Sequence, residues 1–277
     1  MIDQMRSEKF RKDGYIVVKN FFDKDEISSL RRDVKKIFAL QIRRIVNVDV
    51  DIDDEANFEK FMYKFFELDV DTFMNCGKEV QQLISLHKIG TDSRVHKILV
   101  ELGLEFPIIS VRPSMLFNSR HLAKKEEYWK LGAHQDWRSS QGSLDAITLW
   151  FPLVKSDKAI GALQVIPKSH ILGLLDSESV SYYGKIIEEF KEEDYLQLEF
   201  EIGDILLFSS FLVHRSGVNI TESIRWSVQL RYNNIQESTF IERGFPNPFI
   251  YKPQPDLMTP GFPDKKQLLE LFRSKLE

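Results

Sequence analysis

The chain has 277 residues, a net charge of −4 and 43% hydrophobic residues, among them 21 phenylalanines. This length allows one large domain with a sizeable core, and the acidic balance argues against general nucleic-acid binding. The single cysteine, Cys76, excludes an internal disulfide and suits a reducing compartment. Because the N-terminus lacks an apolar signal-peptide region and no apolar run could span a bilayer, we expect a cytoplasmic protein that acts on a small molecule, without a membrane or nucleic-acid partner.

The first hundred residues predict mainly helices. A helix over 3–13 ends at Gly14, and the β-branched and aromatic stretch 15–19 that follows predicts a strand. Asp23, with a glutamate three residues later, is expected to cap an amphipathic helix over 24–45. Further helices fit 55–68, 70–88 and 92–103.

Beyond residue 106 the pattern changes to short strands separated by turn residues. We expect strands at 108–111, 147–150, 162–166, 205–208 and 226–230. Many short strands at such spacing favour a sandwich or barrel, and we expect a jelly roll, so that the fold class is α+β. The chain is then one domain over 1–277. Its helical N-terminal buttress takes about 1–105, its jelly-roll core 106–233 and its C-terminal wrap 234–277.

His134, Asp136 and His214 are the candidate metal ligands. In a strand, residues two apart point to the same face, so His134 and Asp136 would project side by side. A second histidine from a distant strand, His214, completes two nitrogens and one oxygen. This donor set is the facial triad of non-haem Fe(II) oxygenases, which leaves the opposite side of the metal open.

Arg225 follows His214 by eleven residues and lies in a predicted strand. Its planar guanidinium suits a bidentate contact with a carboxylate. By strand alternation Ser227 and Gln229 share the face of Arg225, so Gln229 is a candidate pocket residue, while Trp226 and its alternate neighbours pack on the other side.

The order of these motifs resembles the phytanoyl-CoA hydroxylase family, to which ectoine hydroxylase is related. The resemblance rests on residues 134–136, on Gly161-Ala-Leu-Gln-Val-Ile-Pro-Lys-Ser-His170, on 203–205 and on His214-Arg-Ser-Gly-Val-Asn219 with Arg225. The opening, 10–22, is also similar to the start of that family. Lys168 departs from it, because relatives usually carry glycine at this position of the turn.

The resemblance implies an Fe(II)/2-oxoglutarate-dependent dioxygenase on a double-stranded β-helix, a hydroxylase that uses O2 and releases succinate and CO2. It implies that His134, Asp136 and His214 bind iron, and that Arg225, with Ser216, binds the distal carboxylate of 2-oxoglutarate. Trp150 and Asn118 would line the co-substrate pocket. The carboxylate of Asp136 favours hydroxylation or another oxidation over halogenation, since halogenating relatives have a small residue there.

Two other functions stay open from the sequence alone. One is a cupin-like metalloenzyme that does not use 2-oxoglutarate, against which Arg225 and Ser216 argue. The other is a non-catalytic metal-binding barrel, against which the intact triad argues. The substrate and the oligomeric state are not indicated by any motif.

Two long segments are expected to border the substrate opening and to be mobile without ligand. These are 119–133, with its run of charged residues, and the proline-rich 235–262. The first is the better lid candidate.

Overall fold

The computed structural model describes residues 2–124, 129–180, 183–246 and Lys266. The chain divides into two compact units, Met1–Asn247 and Pro248–Glu277. Of the second unit only Lys266 is described, in helical conformation. The expected C-terminal wrap therefore lies, beyond residue 246 and apart from Lys266, outside the described residues.

Eight helices are described. They are α1 (Ile2–Asp13), α2 (Lys24–Val46), α3 (Glu55–Leu68), α4 (Val70–Glu79), α5 (Ile84–Gly90), α6 (Ser93–Glu101), α7 (Trp137–Ser140) and α8 (Ser238–Glu242). The long helix α2 starts where the sequence predicts. The backbone N–H of Asp23 donates to the Glu26 carboxylate at 2.9 Å, as in a capping box. Helix α2 ends at Asn47, whose backbone adopts a left-handed conformation.

Ten strands are described. They are β1 (Tyr15–Val18), β2 (Pro107–Asn118), β3 (Ile147–Pro152), β4 (Leu163–Val165), β5 (Ser177–Val180), β6 (Tyr183–Ile186), β7 (Leu196–Gln197), β8 (Ile205–Ser209), β9 (His214–Ser216) and β10 (Arg225–Asn234). The larger sheet has the order β1-β8-β3-β10-β2 and is antiparallel throughout. A smaller antiparallel sheet has the order β7-β4-β9, and β5 pairs with β6.

The two faces of the larger sheet are covered differently. On one face Trp226, Val228 and Leu230 of β10 join the apolar cluster that contains the buried side of α2. On the other face Trp150, Leu206 and Phe208 pack with apolar residues of the smaller sheet, such as Val165. The helices therefore cover one face of the larger sheet, and the smaller sheet faces the other. The α+β class expected from the sequence is confirmed.

The sequence predicts the positions of most elements, but it gives the wrong extent for several and does not predict β5, β6, β7, α7 or α8. The expected helix 70–88 is wrong as one element, because the chain forms α4, a 3₁₀ turn at Val80–Gln82 and α5, with an extended residue, Leu83, before α5. The strand expected at 108–111 is part of the twelve-residue β2. Its mixed polar and apolar residues concealed its length. Within the described residues no helix is both long and apolar enough to cross a membrane.

Candidate metal centre

The two histidines are oriented by backbone carbonyls two residues before them. His214 starts β9, and its Nδ1 lies 3.0 Å from the Leu212 carbonyl oxygen. His134 lies just before the metal-motif aspartate, and its Nδ1 lies 2.8 Å from the Gly132 carbonyl oxygen. A carbonyl accepts only, so each Nδ1 carries the proton and donates it. Each Nε2 is left with a lone pair for a metal.

Asp136 does not lie in a strand, which corrects the alternation argument. His134 forms isolated bridges with His214 and Lys185, but Asp136 has helical backbone angles and immediately precedes α7. The turn is fixed by the Trp137 N–H, which donates to the Ser210 carbonyl at 3.0 Å. The carboxylate reaches the histidines because the chain turns into α7, not because of strand pleating.

The three ligand atoms converge in a buried space. Oδ1 of Asp136 lies 4.0 Å from Nε2 of His134 and 3.9 Å from Nε2 of His214. These separations are too long for hydrogen bonds. Nε2 of His214 is buried and has no hydrogen-bond partner among the described residues. Within the described part of the chain this is the one group of three histidine, cysteine, aspartate or glutamate side chains whose ligand atoms lie within 4.8 Å of one another.

The protonation states at the site suit metal binding. Burial lowers the pKa of His134 to about 3, with a further contribution from His214, and burial also lowers the pKa of His214. Burial alone would raise the pKa of Asp136, but the positive charge of Arg231 and its hydrogen bond lower it below its ordinary value. At neutral pH the site thus offers two neutral imidazoles and one carboxylate, the forms in which these groups bind metals.

Three side chains of the larger sheet hold the Asp136 carboxylate. Oδ2 accepts hydrogen bonds from Thr148 Oγ1 and Gln229 Nε2, both at 2.8 Å. Oδ1 accepts one from Arg231 Nη2 at 3.0 Å, and the same nitrogen donates to Gln229 Oε1 at 2.8 Å. Gln229 thus faces the interior as the sequence predicts, and it contacts the metal-motif carboxylate.

Arg225 lies at the start of β10 and is 2% exposed. Its Nη2 donates to Ser216 Oγ at 3.2 Å, while its Nε and Nη1 have no hydrogen-bond partner among the described residues. Burial lowers its pKa to about 10. Ser216 follows His214 by two residues on β9, so both side chains face the same interior. Among the described residues this buried cation has unpaired donors and no carboxylate partner, so its chemistry suits an anion.

Asn118 and Trp150, the two other candidate pocket residues, also lie on the interior face. Asn118 is directly opposite Arg225 in the β2–β10 register, so their side chains share a face. Its Nδ2 donates to the Trp129 carbonyl, while its Oδ1 is buried without a partner among the described residues. Trp150 lies two residues after Thr148 on β3 and packs between the sheets, with its ring centroid 5.0 Å from that of Phe200.

Sequence reasoning missed Thr148 and Arg231 as site residues. Alternation along β10 places 231 on the face of Arg225, and alternation along β3 places Thr148 on the face of Trp150. Strand alternation indicates that these two side chains lie on the interior face, but it does not indicate that they contact Asp136. Contact with Asp136 depends on how the segment before α7 approaches the larger sheet, which no local pattern encodes.

The segment expected to form a lid is described in part. Residues 119–124 include a 3₁₀ turn at Arg120–Leu122, and the Gly132 N–H donates to the Tyr183 hydroxyl at 2.9 Å. Residues 125–128 of the first segment and 247–262 of the second lie outside the described residues. The mobility of both segments stays a prediction.

Comparison with known proteins gives consistent matches. The phytanoyl-CoA dioxygenase (PhyH) family model matches residues 10–227. A phytanoyl-CoA dioxygenase domain-containing protein 1 homolog of Dictyostelium discoideum is 23% identical over 254 residues, covering 81% of this chain and 88% of that protein. A phytanoyl-CoA dioxygenase of Arabidopsis thaliana is 22% identical over 246 residues, covering 80% and 85%.

Solved structures with the same fold include two enzymes with bound ligands. The epimerase SnoN, in complex with Fe3+, alpha ketoglutarate and nogalamycin RO, aligns with a TM-score of 0.54, 16% identity and coverage of 84% of each chain. EctD from S. alaskensis, with 2-oxoglutarate and 5-hydroxyectoine, aligns with a TM-score of 0.52, 20% identity and coverage of 84% of this chain and 76% of that one.

Proposed function

The chain belongs to the phytanoyl-CoA dioxygenase family of 2-oxoglutarate-dependent non-haem iron dioxygenases, and we propose that it hydroxylates an aliphatic C–H bond of a small metabolite or biosynthetic intermediate, releasing succinate and CO2. The fold that goes with this activity is the double-stranded β-helix. The two facing antiparallel sheets, with the donor set between them, support this assignment.

The observation that carries the proposal is the pairing of the donor set with an unpaired buried arginine. His134, Asp136 and His214 offer two nitrogens and one oxygen, which fit Fe(II). Arg225 faces the same interior, where it donates to Ser216, and two of its nitrogens, Nε and Nη1, lack an acceptor among the described residues. A dicarboxylate with a keto acid at one end fits both features, because one end chelates a metal and the other accepts from Arg225.

Each residue has a defined task in this proposal. The two Nε2 atoms and Oδ1 of Asp136 hold the iron, while Arg225 and Ser216 bind the distal carboxylate of 2-oxoglutarate. Asn118 and Trp150 border the co-substrate. With O2, the bound iron and 2-oxoglutarate supply the oxidising chemistry, and the protein contributes binding, orientation and exclusion of water.

The type of oxidation follows from the presence of Asp136. A carboxylate at this position occupies the place that a halide would need, so hydroxylation is favoured over halogenation. The fold alone does not select the product, since the similar structures include the epimerase SnoN and the carbocyclase SnoK. The proposal therefore rests on the site and leaves the substrate to a screen scored by succinate release.

The metal assignment is tested by anaerobic Fe(II) titration of the wild type, His214→Ala and His96→Ala. His96 is exposed and remote in sequence from the motif, so its substitution controls for the loss of a histidine. We expect one tightly bound Fe(II) per chain in the wild type and in His96→Ala, and a large loss of affinity in His214→Ala. Equal affinity in all three proteins would refute the assignment.

A further inference from the structure

We infer that Thr148, Gln229 and Arg231 are positioning residues that force Asp136 to bind the metal through one oxygen only. The inference rests on the proposed iron site. It adds that these residues keep positions on the metal open for other ligands. None of the three residues belongs to the predicted donor set, and only Gln229 was predicted to face the pocket.

The hydrogen bonds to Asp136 leave its carboxylate one free acceptor site. An ionised carboxylate has about four acceptor sites, two on each oxygen. Thr148 and Gln229 both donate to Oδ2 at 2.8 Å, which fills the two sites of that oxygen. Arg231 Nη2 takes one site of Oδ1 at 3.0 Å. One acceptor site is left, and it belongs to the oxygen that faces both histidines.

The sheet register explains why these three donors meet one carboxylate. Arg231 of β10 is the direct partner of Thr148 on β3, and Gln229 is the partner of Trp150, so the donors form one patch on the interior face. The histidines lie on the other side, at the smaller sheet. The patch therefore connects the larger sheet to the carboxylate of Asp136, which immediately precedes α7.

The backbone around Arg231 has a matching irregularity. The pairing of β10 with the edge strand β2 shifts register on both sides of Arg231, between Gln229 and Arg231 and between Arg231 and Tyr232. Bulges of this kind often re-aim a side chain beside an active site. Here the irregularity lies at the one donor of the patch that carries a charge.

A one-oxygen contact has a direct chemical consequence. Two imidazoles and one carboxylate oxygen would leave the other positions on a bound metal open for a chelating keto acid and dioxygen. If Asp136 bound through both oxygens, one of these positions would be lost. Occupying Oδ2 with two uncharged donors prevents that binding mode without changing the ligand itself.

The test counts exchangeable water on bound Mn(II) by water-proton relaxation, at saturating metal and without 2-oxoglutarate. We expect about three waters in the wild type and about two in Thr148→Val, because valine has the shape of threonine but leaves Oδ2 with a free site. Thr148→Ser retains the hydroxyl and should restore the wild-type number. Gln229→Met removes the second donor and should also lower the count.

Ser227→Ala is the matched control. Ser227 lies on the same face of β10, between Arg225 and Gln229, and its Oγ has no partner among the described residues. Its substitution should leave the water number unchanged. If Thr148→Val and Gln229→Met both keep the wild-type number, the inference is wrong while the metal site stands. If the wild type binds no Mn(II), the proposed function fails and the inference fails with it.

Discussion

Replacing Arg225 by methionine should have two opposite effects, one on stability and one on co-substrate binding. Arg225 is 2% exposed, and the only side-chain hydrogen bond of its guanidinium among the described residues is to the Ser216 hydroxyl. Methionine has a similar reach and no charge. We therefore expect Arg225→Met to unfold at a higher temperature than the wild type when neither protein holds metal or 2-oxoglutarate.

The magnitude follows from the pKa of Arg225, which burial lowers from 12.5 to about 10. This difference corresponds to a cost on the order of 3 kcal/mol for the buried charge. Leaving the Ser216 hydroxyl without a partner offsets about 1 kcal/mol. The remaining gain of about 2 kcal/mol should raise Tm by about 5 °C for a chain of this size.

The second effect is the loss of 2-oxoglutarate affinity. A charge-assisted hydrogen bond contributes about 1.5–3 kcal/mol, so Kd should rise roughly ten- to a hundredfold while the metal remains bound. Thermal unfolding and anaerobic calorimetry of the Fe(II)-loaded protein measure the two effects. Arg32→Met is the control, because Arg32 pairs with Asp53 at the surface and should change neither result appreciably. A destabilised Arg225→Met protein that binds 2-oxoglutarate normally would refute the reasoning.

Three further substitutions test separate parts of the structure. Ser216→Ala should weaken 2-oxoglutarate binding less than Arg225→Met does, by calorimetry; no loss of affinity would exclude a role for the hydroxyl. Burial raises the pKa of Glu59, so its protonated form is favoured in the folded state, and its contribution to stability is complete below about pH 4 and is lost as pH rises. Glu59→Gln should therefore stabilise the protein at pH 7 but not at pH 4, in chemical denaturation at both values; an equal effect at both would contradict this. Lys168 has a left-handed backbone, which glycine adopts without steric cost, so Lys168→Gly should add about 1 kcal/mol and raise Tm by a few degrees. A lower Tm would show that the lysine side chain contributes more than the backbone conformation costs.

The sequence predicts the parts of the fold that depend on local pattern. The apolar spacing of α2 and its N-terminal capping box predicted that helix to within a residue at each end, and short, mostly apolar runs located β3 and β8. Alternation along β10 placed Gln229 in the interior and Trp226 on the opposite face, which in the structure packs against the helices. Each of these features is determined by residues that are close together in the chain.

Features that depend on tertiary contact could not be predicted in this way. The sequence placed Asp136 in a strand, whereas the chain turns into α7 and the carboxylate meets donors from β3 and β10. From the sequence alone, Arg231 cannot be distinguished from an arginine on the exposed face of a strand. Only the approach of a segment 95 positions earlier in the chain gives it a partner at the metal site.

The most direct test of the central claim is anaerobic titration of 2-oxoglutarate into the Fe(II)-loaded protein, followed by visible absorption. A keto acid that chelates Fe(II) gives a charge-transfer band, so we expect a band that saturates at one 2-oxoglutarate per iron in the wild type. The band should be absent in His214→Ala, which lacks the iron, and should require much higher 2-oxoglutarate concentrations in Arg225→Met. An iron-loaded wild type that shows no band at saturating 2-oxoglutarate would contradict the account.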